Sequence, residues 1–334
     1  MTTQVAQSRS IKSLFTSEAS QRFLAFGGLI LLFIMFSLFS PQFFPTMNNV
    51  MAILLSTAVN AVLALGVTFV IITGGIDLSV GTLMTLSAVM AGVFISKEFH
   101  TPVPVGVLIG LGTGALCGLI NGTLISRMRI PPFIATLGMM YIAKGLSLVL
   151  SDLAPIYFND APSFNKIAMG SVVGAIFPAF PIPNAVLIMF AAAIVASLIL
   201  SKTVLGRYCF AIGSNEEATR LSGVNVATWK TAIYGLCGLY AGLGGILMAS
   251  RLNSAQPALG AGYELDAIAA VVIGGTSLSG GEGSILGTVI GAFVISTLSN
   301  GLRIMSVPQE WQIVVTGAIV IGAVYLDMLR RRRE

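Results

Sequence analysis

Apolar residues in this chain come in long runs, and polar residues are confined to short breaks between them. From residue 23 onward the runs approach 20 residues, the length at which a helix crosses a hydrocarbon layer. They fall at 23–40, 50–72, 78–96, 104–125, 131–150, 183–201, 229–250, 264–277, 284–301 and 309–327. The pattern predicts an all-α polytopic membrane protein with about ten transmembrane helices. The eighth run is short and rich in glycine, so it is expected to be broken or partly re-entrant. Short alternating segments, the mark of a membrane β-barrel, are missing.

Composition agrees with this and removes other classes. The 334 residues are 55% hydrophobic and 9% charged, with a mean hydropathy of +0.92, whereas soluble domains run near a quarter charged. The net charge of +5 does not point to nucleic acid, because four of the positive charges are Arg330 to Arg333 and most others flank the runs. With the N-terminus inside, thirteen Lys and Arg fall in cytoplasmic segments, at 9, 12, 22, 127, 129, 202, 207, 220, 230 and 330–333. Four fall outside (Lys97, Lys166, Arg251, Arg303) and Lys144 lies within the fifth run. The positive-inside rule selects this threading, with both termini cytoplasmic. Arg9, Lys12 and Arg22 precede the first run much as in a signal peptide, but Pro41 and Pro45 follow it in place of a small-residue cleavage site, so the run is kept as the first span. Cys117, Cys209 and Cys237 are scattered and odd in number, which predicts reduced packing residues. A single histidine, His100, cannot build a metal site.

The expected organisation is a cytoplasmic tail (1–22), one transmembrane domain (23–327) and a basic cytoplasmic tail (328–334). The domain carries an external connection at 151–182 and a polar cytoplasmic island at 202–228. The connection holds Pro155, Pro162, Pro178, Pro181 and Pro183 around an apolar patch. It reads either as an irregular loop with an interfacial helix or as an external docking surface or gate. Two glycine-rich stretches echo each other 200 residues apart: Gly74-Gly75-Ile76-Asp77-Leu78-Ser79-Val80-Gly81 and Gly274-Gly275-Thr276-Ser277-Leu278-Ser279-Gly280-Gly281, identical at five of eight positions. Paired interruptions of apolar segments point to a transport pathway. Similar tight turns between helices would also give the match, and the span count places both on one side of the membrane.

The candidate pathway residues are Gly74, Gly75, Asp77, Ser79, Glu264, Asp266, Gly274 and Gly275. Asp77 opens the third run, and Glu264 and Asp266 open the eighth. Each reads as a helix cap or as a polar group lining the path of a hydroxylated solute. Lys144 reads as a structurally paired cation or as a functional intramembrane charge. Glycines crowd the fourth run (Gly110, Gly112, Gly114, Gly118), the seventh (Gly235, Gly238, Gly242, Gly245) and the ninth (Gly287, Gly291); such spacing lets helices approach closely and speaks to packing.

The island Gly206 to Gly223 is the strongest functional signal. Asn215-Glu216-Glu217-Ala218 reads as a cap and charged first turn, and Gly223 as a helix stop; a plain solvated connector is the alternative. No lysine follows a glycine, so the chain has no phosphate-binding loop of the Gly-Lys-Ser/Thr kind. If ATP drives this protein, another subunit supplies it.

The chain closely resembles the ribose-type permeases of bacterial ABC importers, from about residue 40 to 325. The resemblance is carried by Gly74 to Gly81, by Asn215-Glu216-Glu217-Ala218-Thr219-Arg220-Leu221-Ser222-Gly223-Val224-Asn225-Val226, by Ser254-Ala255-Gln256-Pro257 and by the stretch from Gly262 to Leu278. It implies a multi-pass protein of the bacterial inner membrane that catalyses no reaction and binds no cofactor, with ATP and Mg used by a partner ATPase. It further implies a second permease subunit, in a homodimer or in a heterodimer with a related permease, a periplasmic sugar-binding protein, and a coupling helix seated in the ATPase at Gly213, Asn215, Glu216, Glu217, Ala218, Arg220, Leu221, Ser222 and Gly223. The lipid bilayer is the remaining partner, and nucleic acid is not one. Phe177 to Pro183, rich in Pro and Phe, has no counterpart in the family pattern. The rival classes are an ion-coupled secondary transporter, which would need more ionisable residues within its spans than Lys144, and a passive channel, in which the island would be dispensable.

Overall fold

The computed structural model describes residues 18–178 and 180–331. The expected N-terminal tail lies outside the described residues as far as residue 17, as do Arg332 and Arg333 of the C-terminal tail. The chain is built from helices α1 (Glu18–Phe39), α2 (Met47–Ile72), α3 (Val80–Gly92), α4 (Val103–Ser126) and α5 (Pro132–Leu150). Short helices α6 (Pro162–Met169) and α7 (Val172–Ile176) precede α8 (Asn184–Lys202). Then come α9 (Val204–Ser214), α10 (Glu216–Leu221), α11 (Val226–Leu252), α12 (Tyr263–Ile273), α13 (Ile285–Ile304) and α14 (Gln309–Arg331). A π-helical turn, Val93–Lys97, extends α3.

Helices α2 and α11 form the centre. Every residue of α2 from Thr57 to Ile72 is buried, as expected of a helix that is apolar all round. Helix α11 packs on α4, α2 and α3. Its approach to α4 is made by glycine: Gly114 and Gly118 of α4 lie directly on the backbone of Gly238, Gly242 and Tyr234 in α11. The same device joins α12 to α13, where Gly287 meets the Gly274 carbonyl and Gly291 meets that of Ala270. The glycine spacing in the sequence therefore reports packing, as read, although Gly112 faces open space. Helix α13 is tied to α2 by a hydrogen bond of 2.7 Å between the Thr68 and Thr288 hydroxyls and one of 3.3 Å from Asn60 Nδ2 to Ser296 Oγ.

Seven helices among the described residues are long and apolar enough to cross a membrane: α2, α3 with its π-turn, α4, α5, α8, α11 and α13. Seven of the ten runs of the sequence fall in these helices. The first lies in α1 and the tenth in α14, the helices at the two edges of the described residues. The eighth is α12, only 11 residues long.

The reason α12 is short lies in the segment before it. Ala255 packs against Gly92, near the end of α3, and Gly260 packs against Gly81, at its beginning. Three helical turns of α3 separate those contacts, about 16 Å at 1.5 Å per residue. The chain between α11 and α12 therefore runs back into the bundle in non-helical form, and α12 covers the rest. Residues 73–79 do the complementary thing before α3. Two helices consequently begin side by side inside the bundle, with Gly81 against Gly260 and Glu264. The eighth run, expected to be broken or partly re-entrant, is one short helix that stops at Gly274, with the non-helical chain lying before it.

Helix α8 separates two ends of the bundle, one carrying 151–182 and the other 202–228. The first is more ordered than an irregular loop. Ile156 and Tyr157 (β1) pair antiparallel with Ala255 and Ser254 (β2). Phe164 is buried beneath Phe158, with ring centroids 4.0 Å apart. Ser250 Oγ donates to the Phe164 carbonyl at 2.7 Å and accepts from Ala168 N at 2.9 Å, clasping α6 to the end of α11. Lys97 pairs with Asp152 at 2.8 Å. Structural pairing was also expected for Lys144, but it is exposed on α5 and has no ion pair among the described residues. Its face of α5 points away from the bundle, so the apolar run does not imply a buried partner. The three cysteines are free.

The α4–α11 contact generates a direct test. Gly118→Val forces a side chain into the backbone of α11, a type of overpacking that costs about 1–3 kcal/mol. Thermal unfolding in detergent should shift down by several degrees for this variant and stay unchanged for Gly112→Val. Equal melting of the two would mean that the helices do not pack through Gly118.

Candidate functional site

The polar island folds into two short helices joined at Asn215. The Asn215 side chain caps α10, Oδ1 accepting from Ala218 N at 2.9 Å. Glu216 and Glu217 occupy the first turn of α10 and Arg220 the last, the polarity that suits the helix dipole. Gly223 follows with φ +85°, the left-handed stop its sequence position predicted. A helix of six residues does not persist alone in water, so tertiary contacts hold it. Thr219, the one buried side chain of α10, shares its single hydroxyl proton between the carbonyls of Ala211 and Asn215, each 2.8 Å away. Glu216 Oε2 meets Lys230 Nζ at 2.6 Å, tying α10 to the first turn of α11. Tyr208 and Trp229 face each other with centroids 4.9 Å apart, joining α9 to α11. The Glu217–Arg220 pair, at 2.6 Å, has both side chains about 60% exposed and contributes little, about 0–1 kcal/mol.

The outer surface of α10 is free. Asn215, Glu216, Glu217, Ala218, Arg220, Leu221, Ser222 and Gly223 are all exposed. Leu221 is 78% exposed, so α10 displays a large apolar side chain among charges of both signs.

The two glycine turns lie at this same end. Helix α2 ends with Gly74 N donating to Ile71 O (2.8 Å) and Gly75 N to Val70 O (3.1 Å), with Gly74 at φ +74°. Helix α12 ends with Gly275 N donating to Val272 O (2.9 Å) and Thr276 N to Val271 O (3.1 Å), with Gly275 at φ +90°. Both are Schellman closures. The backbone equivalence pairs Gly74 with Gly275, an offset of 201 residues, one more than the sequence identity suggested. In the first turn glycine provides the left-handed residue directly after Thr73, whereas in the second Gly274 occupies the Thr73 position because Gly287 sits against it. The turns also touch: Gly281 N donates to Ile72 O at 2.8 Å.

The remaining pathway candidates part company. Asp77 and Ser79 are fully buried. Asp77 Oδ1 accepts from Ser79 N (2.9 Å) and Ser79 Oγ (2.6 Å), and Asn121 Nδ2 donates to Ser79 Oγ at 3.0 Å. Ser79, not Asp77, is the N-cap residue of α3; Asp77 acts one step earlier, as the acceptor of an Asx turn. Tyr234 OH donates to Ile76 O at 3.4 Å and supports the same extended stretch. Glu264 and Asp266 lie in the first turn of α12 and are partly exposed. Both Glu264 carboxylate oxygens accept from Gly262 N, at 3.1 Å each. Each of the two internal helix starts thus carries its own carboxylate.

Sequence reading missed the groups that hold α10 in place. Thr219 and Lys230, and Cys209, whose thiol ties α9 to α2 by donating to Phe69 O at 3.1 Å, are single residues with no pattern of their own. Gly280 and Gly281 were part of the echo but not singled out.

Comparison with known proteins accounts for this architecture. Residues 49–324 match the family described as the branched-chain amino acid transport system / permease component. The chain is 42% identical over 330 residues to the ribose import permease RbsC of Escherichia coli K12, covering 98% of this chain and 99% of that protein. It is 43% identical over 304 residues to the ribose import permease RbsC of Bacillus subtilis, covering 90% and 91%. It is 39% identical over 285 residues to the fructose import permease FrcC of Rhizobium meliloti, covering 84% and 78%. No solved structure matches the chain. On that similarity, together with its apolar helical bundle, the chain belongs to the ribose-type family of ABC importer permeases.

Proposed function

We propose that the chain is the transmembrane subunit of an ATP-driven importer for ribose or a closely similar monosaccharide, and that α10 is where its ATPase docks. The observation that carries the reading is the exposed face of α10: a capped, pinned helix of six residues with Leu221 and three charges turned outward. A connector needs none of that support.

On this reading both termini and the 202–228 island are cytoplasmic, as the distribution of Lys and Arg supports, and the protein sits in the bacterial inner membrane. Two copies form one path. A periplasmic sugar-binding protein docks at the 151–182 end, where exposed Val172, Ile176 and Phe177 offer an apolar surface. ATP and Mg bind to the partner ATPase, and the chain itself catalyses nothing. Transport proceeds by alternating access, with closure of the ATPase moving α10 and reopening the path on the other side. Glu264 and Asp266, partly exposed beside the internal start of α12, face the sugar's hydroxyl groups. Asp77 and Ser79, buried in the subunit, hold the start of α3.

Two outcomes check this reading. Leu221→Asp and Glu217→Lys should each release the ATPase in a pull-down from membranes at unchanged permease yield and melting temperature, while Lys144→Gln, on the exposed face of α5, leaves binding intact. Retention of the ATPase by both α10 variants would remove α10 as the docking element. Uptake of labelled ribose into proteoliposomes should require the ATPase, ATP and the loaded binding protein, and persist with a proton uncoupler present. Uptake by the permease alone that collapses with the uncoupler would instead make it an ion-coupled transporter.

A further inference from the structure

Three segments from distant parts of the chain meet at one point beneath α10, and glycine makes the meeting possible. Gly213, in the last turn of α9, presses its Cα onto the carbonyl oxygen of Ile72, the final residue of α2, and onto the amide of Gly281. That amide donates to the same Ile72 carbonyl at 2.8 Å. Gly280 lies against Gly74 N and the Gly213 carbonyl. Gly281 lies against Ser214, and both Gly280 and Gly281 adopt positive φ, +85° and +80°. One turn back, the Cys209 thiol of α9 donates to the Phe69 carbonyl of α2 at 3.1 Å. We propose that Gly213 is a positioning residue for transport: it locks the end of α9 to the C-terminus of α2 and to the 276–283 turn, so that the three move as one body when α10 is displaced. The proposal rests on the importer reading given above.

The physical argument is one of clearance. Side chains between two elements rearrange by rotamer changes, so a push on one side is partly absorbed. Backbone pressed on backbone has no such slack, and a hydrogen bond across the contact fixes its direction. The Ile72 carbonyl is also one of the unsatisfied acceptors at a helix end, so Gly281 supplies a bond that the bundle would otherwise lack. A β-carbon at position 213 would coincide with the Ile72 oxygen, so any residue other than glycine opens the joint. The bodies so joined matter for a path. Helix α2 leads through 73–79 to the internal start of α3, and the 276–283 turn leads back through α12 to its internal start beside Gly81. A displacement at α10 therefore reaches both internal helix starts together, through Thr219 and the end of α9.

The test uses the full complex in proteoliposomes, with ATPase and sugar-loaded binding protein. Gly213→Ala is compared with wild type at equal permease yield and equal amounts of bound ATPase. Sugar uptake should fall at least tenfold, and stimulation of hydrolysis by the loaded binding protein should disappear. Gly112→Ala, at an open helical position, should match wild type in every respect. Uptake and stimulation at wild-type levels in Gly213→Ala would overturn the proposal. Should that variant fail to accumulate, the pair Ser214→Cys with Gly281→Cys decides. Its uptake after oxidation should equal its own uptake after reduction, because the crosslink joins parts that already move together. A loss on oxidation that reductant restores, absent from wild type under the same treatment, would show that α9 slides on the turn and would overturn the proposal. Wild-type uptake independent of the ATPase would sink the importer reading first, and it is told apart because it needs no variant.

Discussion

A backbone amide or carbonyl inside an apolar bundle must find a protein partner, and this requirement shapes the whole molecule. An unsatisfied group in such surroundings costs several kcal/mol, about what a small domain can spare. Two stretches nevertheless leave helical geometry within the bundle, 73–79 and 253–262. Each is held by specific bonds: the first by its own Asp77 on Ser79 N, by Tyr234 on Ile76 O and by Asn121 on the Ser79 hydroxyl. Pairing with β1 and the Glu264 carboxylate serve the second. Non-helical backbone is thus confined to a narrow zone between α3, α11 and α12. That zone is also where two helices start inside the bundle, the arrangement that other transporters use to present polar backbone to a solute.

Glycine follows from the same constraint. Satisfying backbone with backbone requires approach closer than a β-carbon permits, so contacts of this kind gather the glycines, and three of these places show what they do. One is the α4–α11 crossing, another the α12–α13 hairpin, and the third the junction of α9 with the two turns. The first two are ordinary helix packing. The third joins Ile72, Gly213 and Gly281, which lie between 68 and 209 residues apart in sequence, and it fixes the island to the bundle.

Much of this was legible in the chain. The apolar runs located the long helices, the glycine content marked the end of the short eighth one, and Asn215 and Gly223 marked the limits of α10. These features are local, written in periodicity and cap chemistry over a few residues. What the sequence hid was relational. An offset of 200 maximised identity between the glycine stretches, but hydrogen bonding equates them at 201, because a helix closure is defined by which residue turns left-handed and not by which letters match. Asp77 looked like a cap and instead holds Ser79, which occupies the N-cap position without a capping bond from its side chain. Lys144 looked in need of a partner because its run is apolar, yet apolarity alone does not distinguish a helix face turned to the bundle from one turned away. The pinning of α10 by Thr219 and Lys230 was invisible, since a lone threonine and a lone lysine carry no pattern.

The size of α10 bears on what it does. A six-residue helix contributes too little propensity to fold by itself, and an N-cap such as Asn215 adds about 1 kcal/mol. The structure adds an ion pair of which Lys230 is the more buried member, a threonine hydroxyl shared between two carbonyls and an aromatic contact from α9 to α11. None of these uses Glu217, Arg220 or Leu221, which remain exposed. Stabilising a short helix from beneath while leaving Leu221 exposed has a mechanical consequence. A load on the outer face passes into α9 and α11 rather than being lost in local fraying. A solvated connector would gain nothing from such bracing, whereas a helix that must transmit a partner's motion requires it.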